Sequence, residues 1–386
     1  MDRPPLLAFS NVRWESSFQR QHQVMTRMGI RRNVVFVEEP IVGASSSWME
    51  SLRVAPGVRV CRPHLAPRDS TIADEQLYDL DAMLRSFMDR ENITDHAAWL
   101  NSPSAVKLAR GLEPRAIIYD CTDAVGGFSD APSSDERELL ACADAVLTSG
   151  PSIFRARSDN HPFVRCFPNS VDVSQFAAAR EGPEPTDQYA LPRPRIGYHG
   201  PVDARLDFEI LDRMAIVHPE WEIVLAGPAV GIDPSDIPQH ANLRHFEHVG
   251  HAEVPRYMSG WDLCIVPFVS DESTRFANPT QVLEGLAGDR PVVCTPIPDV
   301  IELHQDIVYL GAGPEGFIAA AEDALGASPA ERDARRARAA RQLKRSSWDE
   351  TVRRMDEILH YLGDFGRARE SMLQTRAPWT YEARVS

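Results

Sequence analysis

Residues 195–226 read RIGYHGPVDARLDFEILDRMAIVHPEWEIVLA. The start, 195–198, is a short apolar run that suits a buried strand. A loop with Gly197 and Gly200 follows, then a segment with Leu206, Phe208, Ile210 and Leu211 at helical spacing. Residues 222–226 return to a continuous apolar run. Short apolar runs joined by amphipathic helices are the pattern of a parallel sheet covered on both faces. The alternation continues outward. Downstream, strands are expected at 243–246, 263–266, 292–294 and 308–310. Upstream, an earlier series is expected at 6–9, 33–37, 58–61, 116–119, 145–148 and 164–167. Two such series predict an α/β chain of two Rossmann-like, doubly wound domains.

Between the series lies a stretch rich in Pro, Glu and Arg with little periodicity, residues 177–194, which reads as a linker. The expected units are therefore 1–180 and 190–345. A basic helix is expected over 331–345. A second amphipathic helix begins at Trp348 and carries Val352, Met355, Ile358, Leu359 and Leu362 on one face, so it must dock on a partner surface. The last twenty residues, with Trp379 and Tyr381, are expected to pack back on the first domain.

Composition narrows the function. The chain has 386 residues, 43% hydrophobic and 25% charged, enough apolar material for two cores. Its formal net charge of −15 argues against a general nucleic-acid binder. The six cysteines are scattered without a CxxC pair, which speaks against a zinc site and suits a reducing compartment. No stretch nears the ~20 apolar residues of a membrane span. The first residues lack the pattern of a signal peptide, so a cytoplasmic location is expected. The basic run 332–345 is either a solvated helix face or a peripheral contact with the inner face of a membrane.

Two segments carry the chemistry. In 196–211, a glycine at a strand end lets backbone approach a ligand, and the next helix start offers unpaired N–H groups; Arg205 adds charge. This suits a diphosphate as well as an ordinary turn. It is not the GxGxxG pattern of a dinucleotide site. In NPTQVLEGLAGDRPVVCTP (278–296), Pro279 opens a helix and Glu284 lies one turn in, where a carboxylate can accept both hydroxyls of a ribose or be merely solvated. Both segments fall at the carboxyl ends of parallel strands, where open sheets bind ligands.

These pieces, with WEIVLAGP, ANLRHFEHVGHAEVPRYMSGWDLCIVPF, FSNVRWESSFQRQHQVMTRMG, IIYDCTDAVGGF and FPNSVDVSQF, resemble GT-B glycosyltransferases. The likeness is to bacterial family 1 and family 4 enzymes of the exopolysaccharide or teichuronic-acid type. It implies two domains facing across a cleft and a helix that crosses back to the first domain within 346–386. It implies transfer from a nucleotide sugar, usually UDP-linked, to a sugar, lipid-linked or small-molecule hydroxyl, with no metal or other cofactor. Carried over, Gly200 and Arg205 face the diphosphate and Glu284 the ribose. Val249 and its neighbours to 251 lie near the base. His199, Asn278 and Gln281 complete the donor side. Two positions depart from the pattern: Gln281 stands where a Lys is usual, with Arg275 or Arg290 as possible substitutes, and Phe276 stands where retaining enzymes carry a Glu.

For inverting transfer a base must take the acceptor's proton. Asp123 is preferred, since similar enzymes carry an Asp there, with Asp120 in support; both also suit turn or capping roles. His22 is an alternative base or a polar helix residue. Trp14 and Gln19 belong to the loop that lines the acceptor side. His245, His248 and His251 read as edge and loop residues. A sugar-nucleotide epimerase and a degenerate paralogue that binds without turnover are the competing readings.

Overall fold

The computed structural model describes residues 3–16, 18–67, 73–122 and 128–364. Asp123 and the last twenty residues lie outside these, so the expectations placed on them have no structural counterpart here.

The first sheet comprises β1 (Leu6–Ser10), β2 (Val34–Glu38), β3 (Ile41–Val42), β4 (Trp48–Ala55), β5 (Val58–Leu65), β6 (Ala97–Leu100), β7 (Ile117–Cys121), β8 (Ala145–Thr148) and β9 (Val164–Cys166). Its order is β3-β5-β2-β1-β6-β7-β8-β9, parallel throughout, with β4 added antiparallel to β5. The second comprises β10 (Arg195–His199), β11 (Glu222–Ala226), β12 (Leu243–Phe246), β13 (Leu263–Val266), β14 (Val292–Cys294) and β15 (Tyr309–Leu310), ordered β12-β11-β10-β13-β14-β15. Counting strands within this sheet gives 3-2-1-4-5-6, the doubly wound order whose crevice opens where the direction of winding reverses. Here that is beside β10, the strand ending in His199.

All twelve expected strands form, within one or two residues at their ends except β5, which runs four residues further, to Leu65. Three others were not legible. β6 reads AAWL, too alanine-rich to signal a strand, yet it is wholly buried beside β1. β4 (WMESLRVA) mixes apolar and polar residues and has none buried at the sheet edge, and β3 has two residues. The linker is not bare coil: helix Val173–Ala177 leads into it, and it holds the short helix Thr186–Tyr189.

Helix Trp348–Asp364 crosses back to the first domain. Trp348, Val352, Met355, Ile358 and Leu359 share one core with Leu6, Ala8, Met25 and Phe36. Polar contacts fix it in place. Asp356 is fully buried and takes Arg3, Arg31 and Arg32, while Ser170 and Thr351 hydroxyls meet at 2.8 Å. A buried carboxylate surrounded by guanidinium groups docks this helix in one register.

The basic run forms helix Pro329–Leu343. Four of its arginines make contacts within the second domain: Arg332 donates to the Leu325 carbonyl, Arg335 stacks on Tyr309, Arg336 pairs with Asp289 and Arg338 donates to the Asp306 carbonyl, while Arg332, Arg336 and Arg341 stay exposed.

Candidate functional site

A cleft of about 710 Å³ runs between the domains at the carboxyl ends of the strands. The second domain contributes His199 and Gly200 after β10, Gly227 after β11, and the segment 247–252 after β12. The first contributes Glu15, Ser16 and Phe18 from the loop after β1. A larger groove of about 1340 Å³ lies elsewhere, lined by Arg193, Asp262, Pro291 and Ile307. Those residues precede their strands, so that groove opens at the amino ends, the wrong edge for ligand binding by an open α/β sheet. Several of its arginines are also committed, Arg193 to Asp262 and Arg290 to the carbonyls of Met258, Ala179 and Ser259.

Two glycines let the loops of the second domain meet. Gly200 has φ +119 and Gly227 φ +146, conformations that side chains rarely adopt. A Cβ on Gly227 would come within 2.2 Å of the Gly200 carbonyl oxygen, and one on Gly200 within 2.8 Å of the Gln281 amide. The two turns form a thin backbone wall at the floor of the cleft.

Behind this wall lies Glu284, on helix Thr280–Ala287 and only 4% exposed. His251 Nε2 donates to its Oε1 at 3.1 Å. His199 Nε2 stands 3.5 Å from Oε2 with no hydrogen-bond partner of its own. Burial drives His199 down to about 4, so it is neutral near pH 7. Burial raises Glu284, but the hydrogen bond from His251 together with the other polar contacts from His199, His251 and Thr280 outweighs it and holds the carboxyl below its usual range. The Gln175 amide donates to both His251 Nδ1 and the His251 carbonyl, each at 3.2 Å, which assigns the His251 proton to Nε2. His251 thus does more than the loop residue expected. It lies 33 positions from Glu284, a pairing no local pattern reveals.

The other expected donor residues separate. Val249 lines the cleft as expected. Arg205 forms a two-pronged ion pair with Asp203, at 2.9 and 2.6 Å, and leans on Phe268, so its charge is already met. Asn278 sits in the joint between domains: its amide donates to the Ser149 carbonyl, and its own carbonyl accepts from Asn169. Gln281 packs against Gly200. Neither suggested substitute cation reaches the cleft wall, since Arg275 pairs with Asp130 of the first domain and Arg290 caps carbonyls on the far side. Phe276 belongs to the first domain's core, edge-on to Phe128 at 4.6 Å.

On the first domain, Asp120 ends β7 fully buried and is clamped by Arg20, which also holds the Phe167 carbonyl and Asn169; Asn101 donates to its other oxygen. It is a structural tie, not a free base. His22 accepts from the Gln19 backbone N–H at Nδ1 and donates to the Trp14 carbonyl from Nε2. With its lone pair used inside the helix cap, it has none to offer an acceptor hydroxyl. Trp14 packs on Phe36 and His22, and Gln19 caps helix Arg20–Gly29, so both build the loop while Glu15, Ser16 and Phe18 face the cleft. Glu38, overlooked in the sequence, anchors that loop through Arg13, Arg62 and the Trp14 N–H. Among the described residues no group of three or more His, Cys, Asp or Glu is arranged to hold a metal ion.

Two sheets of this order, facing across a cleft and laced by a returning helix, define the GT-B fold. Solved structures bear this out: sucrose-phosphate synthase from Thermosynechococcus elongatus superposes with a TM-score of 0.71 at 15% identity, covering 93% of this chain and 99% of that one. A trehalose-6-phosphate protein from E. coli, bound with UDP-2-fluoro glucose, gives 0.70 at 12% identity over 92% and 99%. Within that fold, residues 193–327, in the second domain, match the family Glycosyl transferases group 1. The Bacillus subtilis (strain 168) protein named "Putative teichuronic acid biosynthesis glycosyltransferase TuaH" is 25% identical over 250 residues, 59% of this chain. The match spans 63% of that relative's length.

Proposed function

We propose that the protein is a glycosyltransferase that moves a sugar from a nucleoside-diphosphate sugar to a hydroxyl acceptor in polysaccharide or glycoconjugate synthesis. The observation that carries this is Glu284: an ionised carboxylate buried at the ligand edge of the domain that matches Glycosyl transferases group 1, behind paired glycines and facing the first domain across the cleft. It suits the hydroxyls of a ribose. The likeness to a protein bound with UDP-2-fluoro glucose supports a UDP-linked donor. The amino end of helix Thr280–Ala287 would meet the diphosphate's charge, with no metal or other cofactor in the reaction. The acceptor, a sugar or lipid-linked hydroxyl, would enter along Glu15, Ser16 and Phe18. With Asp120 and His22 both committed, Asp123 is the residue left for the base. The reaction belongs in the cytoplasm, where nucleotide sugars are the donors; among the described residues no helix is long and apolar enough to cross a membrane.

Binding without turnover is favoured by one feature: Arg27, on the cleft wall, is held by Asp172 at 3.0 Å and Asp349 at 2.6 Å, while Arg205 is held by Asp203. A thermal-shift screen with UDP, GDP, dTDP, ADP and their sugars tests binding. One nucleotide should raise Tm, and Glu284→Ala should abolish the rise without lowering the Tm of the protein alone. No shift at millimolar concentration would refute donor binding. A shift without sugar transfer or donor hydrolysis would favour the non-catalytic reading.

A further inference from the structure

Glu284 does not itself line the cleft; His199 and His251 do. The two imidazoles stand between the carboxylate and the opening, and only His251 is firmly bonded to it. His251 is also the end of a stack that crosses between domains. Its ring lies on Phe18 at 5.0 Å and 25°, and Phe18 lies on His22 at 5.1 Å and 27°. His22 is held by both ring nitrogens to backbone groups of its own loop and helix cap; His251 is held by the Gln175 amide at Nδ1 and by Glu284 at Nε2, and the second of these is the bond that a ligand hydroxyl can replace. Phe18 is 39% exposed, unusual for an aromatic ring with two stacked partners, and lies on the cleft's acceptor side.

We propose that His251 is a gate on Glu284: it occupies the oxygen a ribose would use, and a donor must displace it, unstacking Phe18 and so signalling donor loading to the first domain's loop. This rests on the donor-site reading above. His251 is a positioning residue here, acting through Glu284 and Phe18. Its hydrogen bond mimics that of a sugar hydroxyl, an N–H in place of an O–H on the same carboxylate. The unpartnered His199 nitrogen is left to take one ligand contact once the carboxylate is exposed. Because a gate lowers apparent affinity by the fraction of time it is open, removing it must tighten binding.

The test is titration calorimetry of the full chain with UDP, GDP and ADP, each against its 2′-deoxy form. His251→Ala should bind the preferred ribonucleotide about tenfold tighter than wild type, the scale of one hydrogen bond to a charged group. The gain should be much smaller with the 2′-deoxy form, a contrast that general loosening of the loop would not produce. Phe18→Ala, a substitution at a half-exposed site, should give a weaker gain of about twofold to threefold by freeing the stack. Weaker binding in His251→Ala, or an equal gain for both sugars, overturns the gate while leaving the donor site standing. Absence of nucleotide binding in every protein, wild type included, overturns the donor reading and the gate together.

Discussion

Each domain places a buried carboxylate near the cleft at the carboxyl edge of its sheet, Asp120 in the first and Glu284 in the second, and the two are held in opposite ways. Asp120 is bound by the Arg20 guanidinium, itself only 5% exposed and tied further to the Phe167 carbonyl and Asn169. Glu284 is faced by two imidazoles: neutral His199, whose Nε2 stands 3.5 Å away without a hydrogen-bond partner, and His251, which donates a single hydrogen bond to it while Gln175 holds the other ring nitrogen. A guanidinium cannot lose its proton and its fork resists rearrangement. An imidazole can rotate away and leave the carboxylate to a ligand. Position at a strand end therefore does not make a carboxylate functional; the chemistry of its partner decides.

The largest effect expected from this contrast is on stability. Asp120→Ala strands the Arg20 charge in the first domain's interior and should cost about 3–5 kcal/mol. Glu284→Ala, which leaves no charged partner behind, should cost far less. Urea denaturation of both variants measures the difference. Equal losses would mean that Glu284 is a structural tie like Asp120, and the donor site would need another carboxylate.

Another buried carboxyl, Asp299, lies in the joint between domains and is held by no ion pair, with Arg155 acting on it only at a distance. Its Oδ1 accepts the Ser152 N–H at 2.8 Å, while Oδ2 has no partner and lies against Gly150. Burial pushes it from 3.8 up to about 7, with Ser152 opposing. The folded protein therefore binds a proton that the unfolded chain has released between about pH 4 and 7, and stability falls as pH rises through that window. Asp299→Asn should remove this slope, leaving stability near pH 4 little changed and raising it at pH 8 by about 2–4 kcal/mol relative to wild type. Denaturation midpoints at the two pH values check this. An unchanged slope in the variant would place the titration elsewhere.

The contrast also explains what the sequence could reveal. Most of the twelve strands were legible because parallel strands buried on both faces are continuous apolar runs; β6 and β4 were not, since AAWL is alanine-rich and β4 breaks its apolar residues with Glu50, Ser51 and Arg53. Glu284 and the Gly200 turn were legible because each sits in a local pattern beside a strand. Their partners were not: His251 is 33 residues from Glu284, and Arg20 is 100 residues from Asp120. Which acid is pinned and which is free depends on contacts between distant segments. The surroundings of Asn278 and Phe276 were not legible for a related reason. Both residues lie in the right segment, but the domains close on them and turn them into parts of the joint.

Arg205 gives the smallest predicted effect and the sharpest check on that argument. Its segment suggested a diphosphate contact, yet its guanidinium already faces Asp203 two residues away, partly open to solvent. A pair of this kind contributes about 1 kcal/mol or less. Arg205→Ala should therefore change stability by no more than that and donor affinity by less than about threefold, as read by calorimetry with the nucleotide that binds. Asp203→Asn makes the complementary measurement by releasing the guanidinium without removing it. If Arg205 is merely paired, the freed charge can swing toward the cleft and donor affinity should rise slightly, with a steeper dependence on salt. If Arg205→Ala instead weakens donor binding tenfold, then the pair with Asp203 opens on binding. The partner would then decide the role of Arg205 as it does for Glu284, with a carboxylate acting as the displaceable cover on a cation.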